Sequence, residues 1–549
     1  MNAPTAGDTE RFPELKPNEV AVGIDLGTTN SVVAVWSNEK LRAKVVKVEG
    51  KNKTLPSIVA FEKDGRNSWK PYVGRKAIDY GHPEMTVRNV KRLMGQEYEN
   101  STAQRLIKEN TDSYTIVPLP RSEADTLKPS KLMVEIKDDQ DSRRLFPEDV
   151  SAFILGNLKT TVELAIEGAE AKYAVITVPA HFNHSQRLAT LEAAHVAGFA
   201  QARLISEPTA AAVAYGLSIA GEKNVFIFDL GGGTFDTSIL KIQQGKIDVL
   251  STVGDPRLGG NDVDNLVLSH VLTSLVNRVF QMKSSCSIPG LVKAKEGGTL
   301  TVKEGCDTLG LARESRAFAE IVRACEHAKV ELSRHEKTTV EIDPFVCSDL
   351  KCNVGENWGN GQKKPLRVAL GRRELEAMMK PLLSKCRETV LRALKDVNFK
   401  PGDIDEIVMV GGASRTPAVV ELVRSIFHGK ALCAGINPDQ VVAEGAAIRA
   451  AMLSGVDNEL LNDVLMMDVL PTSIGLEAAD GAFVPLLPRL SKIPCKVSKS
   501  FGTYEDNQVG ITVRLFEGEK DVAEDNHEMG TLNFFIPRVR RGKKGETKV

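Results

Sequence analysis

The sequence lacks the features that mark secreted, membrane-spanning or nucleic-acid-binding proteins. Its eight cysteines are scattered over 549 residues without a Cys-X-X-Cys pair, which is typical of reduced thiols rather than of a disulfide framework. No run approaches the roughly 18 apolar residues that a membrane-spanning helix needs, and residues 1–20 have no apolar centre of the secretory type. Lysine plus arginine (71) and aspartate plus glutamate (72) balance, which argues against nucleic acid as the principal partner. We therefore expect a cytosolic (cytoplasmic) protein with neither a membrane nor a sequence-specific nucleic-acid partner.

Two common nucleotide-binding motifs are also absent, but an internal repeat is present. No Gly-X4-Gly-Lys-Ser/Thr loop occurs, and no Gly-X-Gly-X-X-Gly opens a helix. Instead, residues 22–35 read VGIDLGTTNSVVAV and residues 225–240 read VFIFDLGGGTFDTSIL. Each copy predicts two strands joined by a glycine turn whose amides can face a phosphate. The repeat therefore predicts two related α/β units that close on a phosphate group from both sides.

Acidic residues in both turns indicate a cation as well. Asp25, Asp229 and Asp236 would repel a bare phosphate, whereas they suit a divalent ion, and magnesium needs few protein ligands. Either turn alone could equally be an ordinary tight hairpin with acidic residues. The occurrence of two matching copies favours the phosphate clamp.

Three further segments contribute polar groups that could surround a nucleotide. A strand ends in two glycines before an arginine, a glutamate opens an alanine-rich helix, and three polar residues share one helix face. Each pattern also has an ordinary explanation, as a turn, a first-turn dipole partner or a solvated face. The residues concerned are Gly411, Gly412, Arg415, Glu207, Glu326, Lys329 and Ser333.

These five segments, in this order, resemble the nucleotide-binding domain of the 70-kilodalton heat-shock (Hsp70) chaperones, which belong to the actin and sugar-kinase ATPase superfamily. The resemblance covers about residues 20–513 and implies an α/β fold: a two-lobed actin-like ATPase domain (a duplicated ribonuclease-H-like fold), then a small, incomplete β-sandwich. It implies the following organisation: a flexible N-terminal extension (1–19), a nucleotide-binding domain (20–457), an interdomain linker (458–470), a truncated, lidless substrate-binding domain (471–537) and a basic tail (538–549).

The resemblance also implies the cofactors and the site residues. ATP or ADP and Mg²⁺ are expected, with K⁺ as a further candidate. The residues that resemble the magnesium site are Asp25, Glu207 and Asp229. Those that resemble the ATP site are Gly27, Thr28, Thr29, Asn30, Gly231, Gly232, Gly233, Thr234, Glu326, Lys329, Ser333, Gly411, Gly412, Arg415 and Asp439. The catalytic set implied is Lys76, Glu207, Asp229, Thr234 and Asp236.

The position of the family's catalytic lysine is ambiguous, because the segment after the first hairpin is two residues short here. Counting back from Pro83 aligns Lys76 with that lysine, whereas counting forward from Gly74 aligns Ile78. We favour Lys76, since the stretch up to Pro83 then needs no gap. If Ile78 occupied the position, hydrolysis should be crippled while ATP binding survives.

The C-terminal quarter resembles the family's linker and peptide-binding module. Five β-rich runs lie near residues 472–477, 483–487, 496–501, 511–517 and 531–536. The residues that resemble the peptide cleft are Leu476, Ala479, Phe501, Tyr504 and Ile511. Those that resemble the interdomain and J-domain coupling set are Arg203, Leu465 and Asp468, the last two within the linker-like DVLMMDV at 463–469.

The function implied is that of an ATP-dependent heat-shock chaperone, which binds and hydrolyses ATP to control its hold on unfolded or nascent polypeptide. A J-domain co-chaperone and a nucleotide-exchange factor are its expected partners, with the ribosome as a further candidate. One alternative is a nucleotide-bound, lidless partner subunit of a ribosome-associated J-domain protein, without a client cycle of its own. A small-molecule kinase of the same superfamily is a third, which the linker-like segment argues against.

Overall fold

A computed structural model describes residues 11–63, 68–80, 82–109, 112–120, 130–137, 141–216, 221–243, 245–282, 298–313, 315–342, 365–433, 435–462, 464–500, 502 and 505–536. The helices are α1 Arg75–Tyr80, α2 Ser101–Glu109, α3 Pro147–Ala165, α4 His184–Val196, α5 Glu207–Gly216, α6 Gly260–Met282, α7 Val302–Leu309, α8 Arg316–Glu331, α9 Arg372–Asp396, α10 Pro417–Ile426, α11 Val441–Leu453 and α12 Glu459–Asn462. The strands are β1 Glu19–Asp25, β2 Asn30–Ser37, β3 Arg42–Val45, β4 Leu55–Pro56, β5 Val59–Lys63, β6 Trp69–Val73, β7 Thr86–Val87, β8 Thr115–Pro118, β9 Leu132–Lys137, β10 Ser142–Leu145, β11 Glu170–Val178, β12 Gln201–Ser206, β13 Glu222–Leu230, β14 Phe235–Gln243, β15 Lys246–Asp255, β16 Lys337–Ile342, β17 Leu366–Gly371, β18 Glu406–Val410, β19 Leu465–Val469, β20 Ile474–Glu477, β21 Phe483–Leu487, β22 Lys492–Ile493, β23 Gly510–Glu517 and β24 His527–Phe535.

Two sheets with the same local plan form the centre of the fold. The first has the order β12-β11-β1-β2-β3, with β4 added to β2, and the second has the order β18-β13-β14-β15-β19-β22. In each sheet the hairpin that carries a copy of the sequence repeat, β1–β2 or β13–β14, pairs in parallel with a later strand, β11 or β18. The predicted α/β class with a duplicated unit is thereby confirmed. We call residues 19–216 the first lobe and residues 222–433 the second lobe.

Each lobe has its own apolar core, and helix α11 packs closely against the first lobe. Phe61 and Met94 are fully buried in the first lobe, as are Phe226 and Phe235 in the second. These cores fix the two hairpins, because the buried faces of both sheets are continuous runs of β-branched and aromatic residues. Helix α11 crosses β1 and α5 at close range.

Glycine permits this close crossing. A Cβ atom at Gly23 of β1 would lie 1.9 Å from the backbone nitrogen of Ala447, and one at Gly445 would lie 1.7 Å from the carbonyl oxygen of Ala210. Real Cβ atoms do not approach backbone so closely, so the packing depends on the missing side chains. The helix therefore lies directly against the strand that ends at Asp25.

The C-terminal part forms a separate antiparallel sheet of order β21-β20-β23-β24. Four of the five predicted β-rich runs correspond to these strands, whereas residues 496–500 form no strand. The linker-like segment is itself a strand, β19, which pairs in parallel with β15 of the second lobe and antiparallel with β22. The predicted linker therefore extends the second lobe's sheet.

The N-terminal residues are held more firmly than a flexible extension would be. Phe12 is 5% exposed, its ring stacks on Tyr173 with 5.0 Å between centroids, and its backbone nitrogen donates to the carbonyl oxygen of Leu453 at 2.9 Å. Residues 1–10 and the predicted basic tail at 538–549 lie outside the described residues. Among the helices that are described, none combines the length and the hydropathy that crossing a bilayer requires.

Candidate functional site

The two glycine turns meet where the lobes face each other. The first turn follows Asp25 at the end of β1, and the second, residues 231–234, joins β13 to β14. A Cβ atom at Gly232 would lie 2.0 Å from the Oγ1 atom of Thr29, and one at Gly233 would lie 2.8 Å from the Oγ1 atom of Thr28. Only glycine fits at these two positions, so the turns can bring backbone amides and hydroxyl groups from both lobes to one place.

A cavity of about 530 Å³ opens between the lobes at these turns. Its size is within the usual range for a small-molecule or cofactor site. The predicted residues that line it are Asp25, Gly27, Thr28, Thr29, Asn30, Glu207, Asp229, Gly231, Gly232, Thr234, Glu326, Lys329, Ser333, Gly411, Gly412, Arg415 and Asp439. Residues that are distant in the sequence thus surround one space.

Three carboxylates lie at the inner end of the cavity. Glu207 and Asp229 are 8% and 5% exposed, and Thr177 donates a hydrogen bond to Asp25 at 3.1 Å. Desolvation and the charge of Glu207 raise the pKa of Asp25 to about 7, and burial, followed by the charges of Glu207 and Asp236, raises the pKa of Asp229 well above its usual value. A cation would offset this repulsion.

The carboxylates of the cavity bear on the predicted magnesium site. Within the described residues, no group of three or more His, Cys, Asp or Glu side chains is arranged to hold a metal ion directly. Magnesium commonly keeps several of its waters and takes only one or two carboxylates. The donor set of Asp25, Glu207 and Asp229 therefore fits an ion that is held largely through water.

A second lysine, Lys91, lines the cavity beside the carboxylates, and the sequence analysis did not predict it. It is 5% exposed, its Nζ atom lies 2.5 Å from the Oε1 atom of Glu207, and it is 5.7 Å from the ring centroid of Phe182. Lys76 is exposed on α1, and neither it nor Ile78 is among the residues that line the cavity. Nothing in the local sequence, VKRLM at 90–94, distinguishes Lys91 from an ordinary surface lysine, and its burial is apparent only in the fold.

Two cationic residues expected around adenosine, Lys329 and Arg415, form ion pairs at the cavity wall. Lys329 donates to Asp264 at 2.8 Å, and burial raises the pKa of that aspartate to about 6. Arg415 donates to Asp439 at 2.6 Å and to Asn437 at 3.1 Å. These contacts hold both cationic side chains at the cavity wall.

Asp236 lies just behind the second glycine turn and has a partner that the sequence did not reveal. It is 1% exposed, and its Oδ1 atom lies 2.7 Å from the Nδ1 atom of His181. Gly254 is opposite it in β15, where a Cβ atom would lie 2.1 Å from the same carboxylate oxygen. The absence of a side chain at Gly254 therefore provides the space for this pair.

The predicted coupling residues separate into two groups. Asp468 of β19 accepts hydrogen bonds from Thr209 at 2.9 Å and from Ser206 at 3.4 Å, the residues on either side of Glu207 and Pro208. Arg203 lies 6.0 Å from the ring centroid of Phe12 instead, and the Leu465 side chain is largely exposed. The linker strand thus contacts the helix start that places Glu207 in the cavity.

Of the predicted peptide-binding residues, the structure describes Leu476, Ala479 and Ile511. Leu476 is buried, Ile511 is half-buried and Ala479 is exposed. Phe501 and Tyr504 lie outside the described residues. This prediction stays untested.

Comparison with known families adds one finding. A model of the family described as Hsp70 protein matches residues 21–284 and 301–549. The match includes all of the cavity-lining residues named above, as well as the linker strand and the C-terminal sheet.

Proposed function

The chain belongs to the Hsp70 family, and on this premise we propose that it binds Mg²⁺–ATP between its lobes, hydrolyses it, and thereby controls polypeptide binding by the C-terminal sheet. Hsp70 proteins are ATPases that bind ATP and ADP with Mg²⁺ and work with J-domain proteins, nucleotide-exchange factors and unfolded clients. The membership supports a chaperone and ATP-binding role in general. Hydrolysis, client binding and the identity of partners for this chain are part of the proposal.

The observation that carries the proposal is the contact between two glycine turns that the sequence places far apart. A phosphate chain between Thr28–Thr29 and Gly231–Thr234 would receive amides and hydroxyls from both lobes. The carboxylates beside it would repel phosphate without a cation and would attract hydrated Mg²⁺, which supplies charge stabilisation at the transferred phosphoryl group.

Each residue near the proposed phosphate site can be assigned a role in ATP hydrolysis. Lys91 holds a positive charge at the inner end of the cavity, where it can stabilise charge that develops on the γ-phosphate. Glu207 and Asp229 would orient water around the cation, and we assign the positioning of the nucleophilic water to Thr234, which lines the cavity, and to Asp236, which follows the second glycine turn in β14. Lys76 does not line the cavity, and we therefore assign the role of the catalytic lysine to Lys91.

The linker strand β19 could couple the nucleotide site to the C-terminal sheet. Because Asp468 contacts Ser206 and Thr209 next to Glu207, a change in the position of Glu207 would alter the support of β19. The pairing of β19 with β15 makes it an element with a docked arrangement that nucleotide can favour or disfavour. We propose that this strand transmits nucleotide state, with a J-domain protein acting near it.

The test is to measure ATP binding and steady-state ATPase activity of the full chain, with and without an unfolded peptide and a J-domain protein. The double variant Asp25→Asn/Asp229→Asn should lose Mg²⁺-dependent ATP affinity, whereas Asp307→Asn, exposed on α7, should bind as the unmodified chain does. Stimulation by both additions supports the proposal. ATP binding without turnover would instead indicate a nucleotide-bound partner subunit, and full Mg²⁺-dependent affinity in the double variant would refute the proposed site.

A further inference from the structure

Two asparagine side chains connect the lobes beside the cavity. The Nδ2 atom of Asn261, at the start of α6 in the second lobe, donates to the Oδ1 atom of Asn89 in the first lobe at 2.7 Å. Asn261 lines the cavity, and neither residue belongs to the predicted site. This hydrogen bond joins the two lobes directly, so it must break when the lobes separate and the cavity opens.

The first lobe fixes the orientation of the Asn89 amide. Its Nδ2 atom lies 3.2 Å from both carboxylate oxygens of Asp112, and Tyr114 donates to Asp112 at 3.3 Å and to the carbonyl of Arg88 at 2.9 Å. Because both oxygens of Asp112 face the same nitrogen, Asn89 donates to them through its NH₂ group and leaves its amide oxygen facing Asn261. The backbone of Asn89 has φ +57°, a left-handed conformation that asparagine tolerates.

The second lobe ties Asn261 to the glycine turn. Its backbone nitrogen donates to the carbonyl oxygen of Gly232 at 2.8 Å, and that of Gly260 donates to Gly231 at 2.9 Å. Any movement of this turn must therefore carry Asn261 with it. The Oγ1 atom of Thr29, in the opposite glycine turn, donates to the side-chain oxygen of Asn261 at 3.5 Å. Hydrogen bonds therefore run without a break from Thr29 through Asn261 and Asn89 to Asp112.

We propose that Asp112, Asn89, Asn261 and Thr29 form an asparagine relay that positions the Thr29 hydroxyl and holds the lobes closed over bound nucleotide. The relay rests on the proposed nucleotide site and adds a determinant of nucleotide release to it. Dissociation requires the glycine turns to separate, and this separation breaks the Asn89–Asn261 bond. Arg92 forms a parallel connection, because it donates to the carbonyl oxygen of Gly233 at 2.9 Å and to Asp262 at 2.8 Å.

The test measures dissociation of N-methylanthraniloyl-ADP from the full chain by stopped-flow fluorescence. The variants are Asn89→Gly, which keeps the left-handed backbone available, Asn261→Ala and the double variant. Loss of one neutral hydrogen bond predicts about two- to tenfold faster release for each single variant. Because each change breaks the same bond, the double variant should release nucleotide no more than about twice as fast as either single variant.

The matched control is Asn398→Gly, an exposed asparagine with φ +56° in the second lobe, which should release nucleotide at the unmodified rate. The thermal unfolding midpoint of each variant distinguishes loss of the relay from general destabilisation. The relay predicts faster nucleotide release in variants whose midpoint is unchanged. Unaltered release rates, or single effects that multiply in the double variant, would overturn the relay while leaving the nucleotide site intact. If the unmodified chain bound no nucleotide, the proposed function would fail and the relay with it.

Discussion

Lys91 and Glu207 form a buried ion pair between the first-lobe turn at 90–92 and the start of α5, with 2.5 Å between Nζ and Oε1. Both side chains are at most 10% exposed, so each depends on the other for compensation of its charge. The pair lies beside Asp25 and Asp229 in the wall of the cavity. This arrangement supplies one fixed positive charge among several negative ones.

Replacing Lys91 by alanine should abolish most of the turnover. Removal of a preorganised charge that stabilises the transition state typically lowers kcat by roughly a hundred- to a thousandfold. The matched variant is Lys76→Ala on the exposed face of α1, which should leave single-turnover ATP hydrolysis unchanged. The reverse result, with Lys76 essential and Lys91 dispensable, would contradict our assignment. Because Glu207 would be left unpaired, the Lys91 variant should also unfold more easily, by about 3 kcal/mol.

The glycine turns and their acidic neighbours could be predicted from the sequence, because the same short pattern occurs twice in the chain. The position of Lys91 could not be predicted in the same way. Its role depends on burial against Phe182 and on a partner, Glu207, that lies more than a hundred residues later. Tertiary contacts of this kind have no signature in local periodicity.

Two other contacts between the lobes could not be predicted from the sequence for the same reason, namely that their partners are distant along the chain. The Asn89–Asn261 bond and the His181–Asp236 pair each join residues from different lobes, and nothing in either local sequence marks the partner. The family resemblance implies a flexible extension at residues 1–19, yet the ring of Phe12 is buried and stacks on Tyr173. Local composition predicted the elements well and their long-range pairing poorly.

Removal of divalent ions should weaken ATP binding. Asp25, Glu207 and Asp229 line the same cavity, and in their ionised form these carboxylates repel a bare phosphate, whereas a bound cation would offset their charge. Chelation with EDTA should therefore lower ATP affinity, measured by isothermal titration calorimetry, by at least about tenfold. Adenosine, which carries no phosphate, serves as the control ligand and should lose little affinity. Equal ATP affinity with and without Mg²⁺ would contradict a role for these carboxylates in cation binding.

Substitution of Gly23 by alanine should destabilise the whole nucleotide-binding part. The new Cβ atom would overlap the backbone of α11 at Ala447, and neither backbone can move without disturbing β1. We expect the free energy of unfolding in urea to fall by about 3 kcal/mol or more. Gly156 in α3 is the control, because a Cβ atom there meets nothing within 4 Å. Its replacement by alanine should stabilise the chain by about 0.5–1 kcal/mol.

Arg489 and Asp396 connect the C-terminal sheet's base to the second lobe. The Nη1 atom of Arg489 lies 3.0 Å from the Oδ1 atom of Asp396, and its Nη2 atom donates to the carbonyl oxygen of Thr252 at 3.2 Å. Although burial opposes it, hydrogen bonding from Arg489 lowers the pKa of Asp396. The stabilisation from this carboxylate is therefore present above the ordinary aspartate pKa of about 3.9 and is lost as the pH falls through its lowered value.

Replacing Arg489 by alanine should therefore release the C-terminal sheet at neutral pH, because it leaves Asp396 without its cation and weakens docking by about 2 kcal/mol. Limited proteolysis of the linker strand and the radius of gyration from small-angle X-ray scattering measure this release. Arg367→Ala, which removes a largely exposed arginine from β17, should change neither quantity. The exchanged variant Arg489→Asp/Asp396→Arg restores opposite charges and should recover part of the docking. Docking that persists in Arg489→Ala, and that in the unmodified chain does not weaken as the pH falls from about 5 to about 3, would show that the pairing of β19 with β15 alone holds the sheet in place.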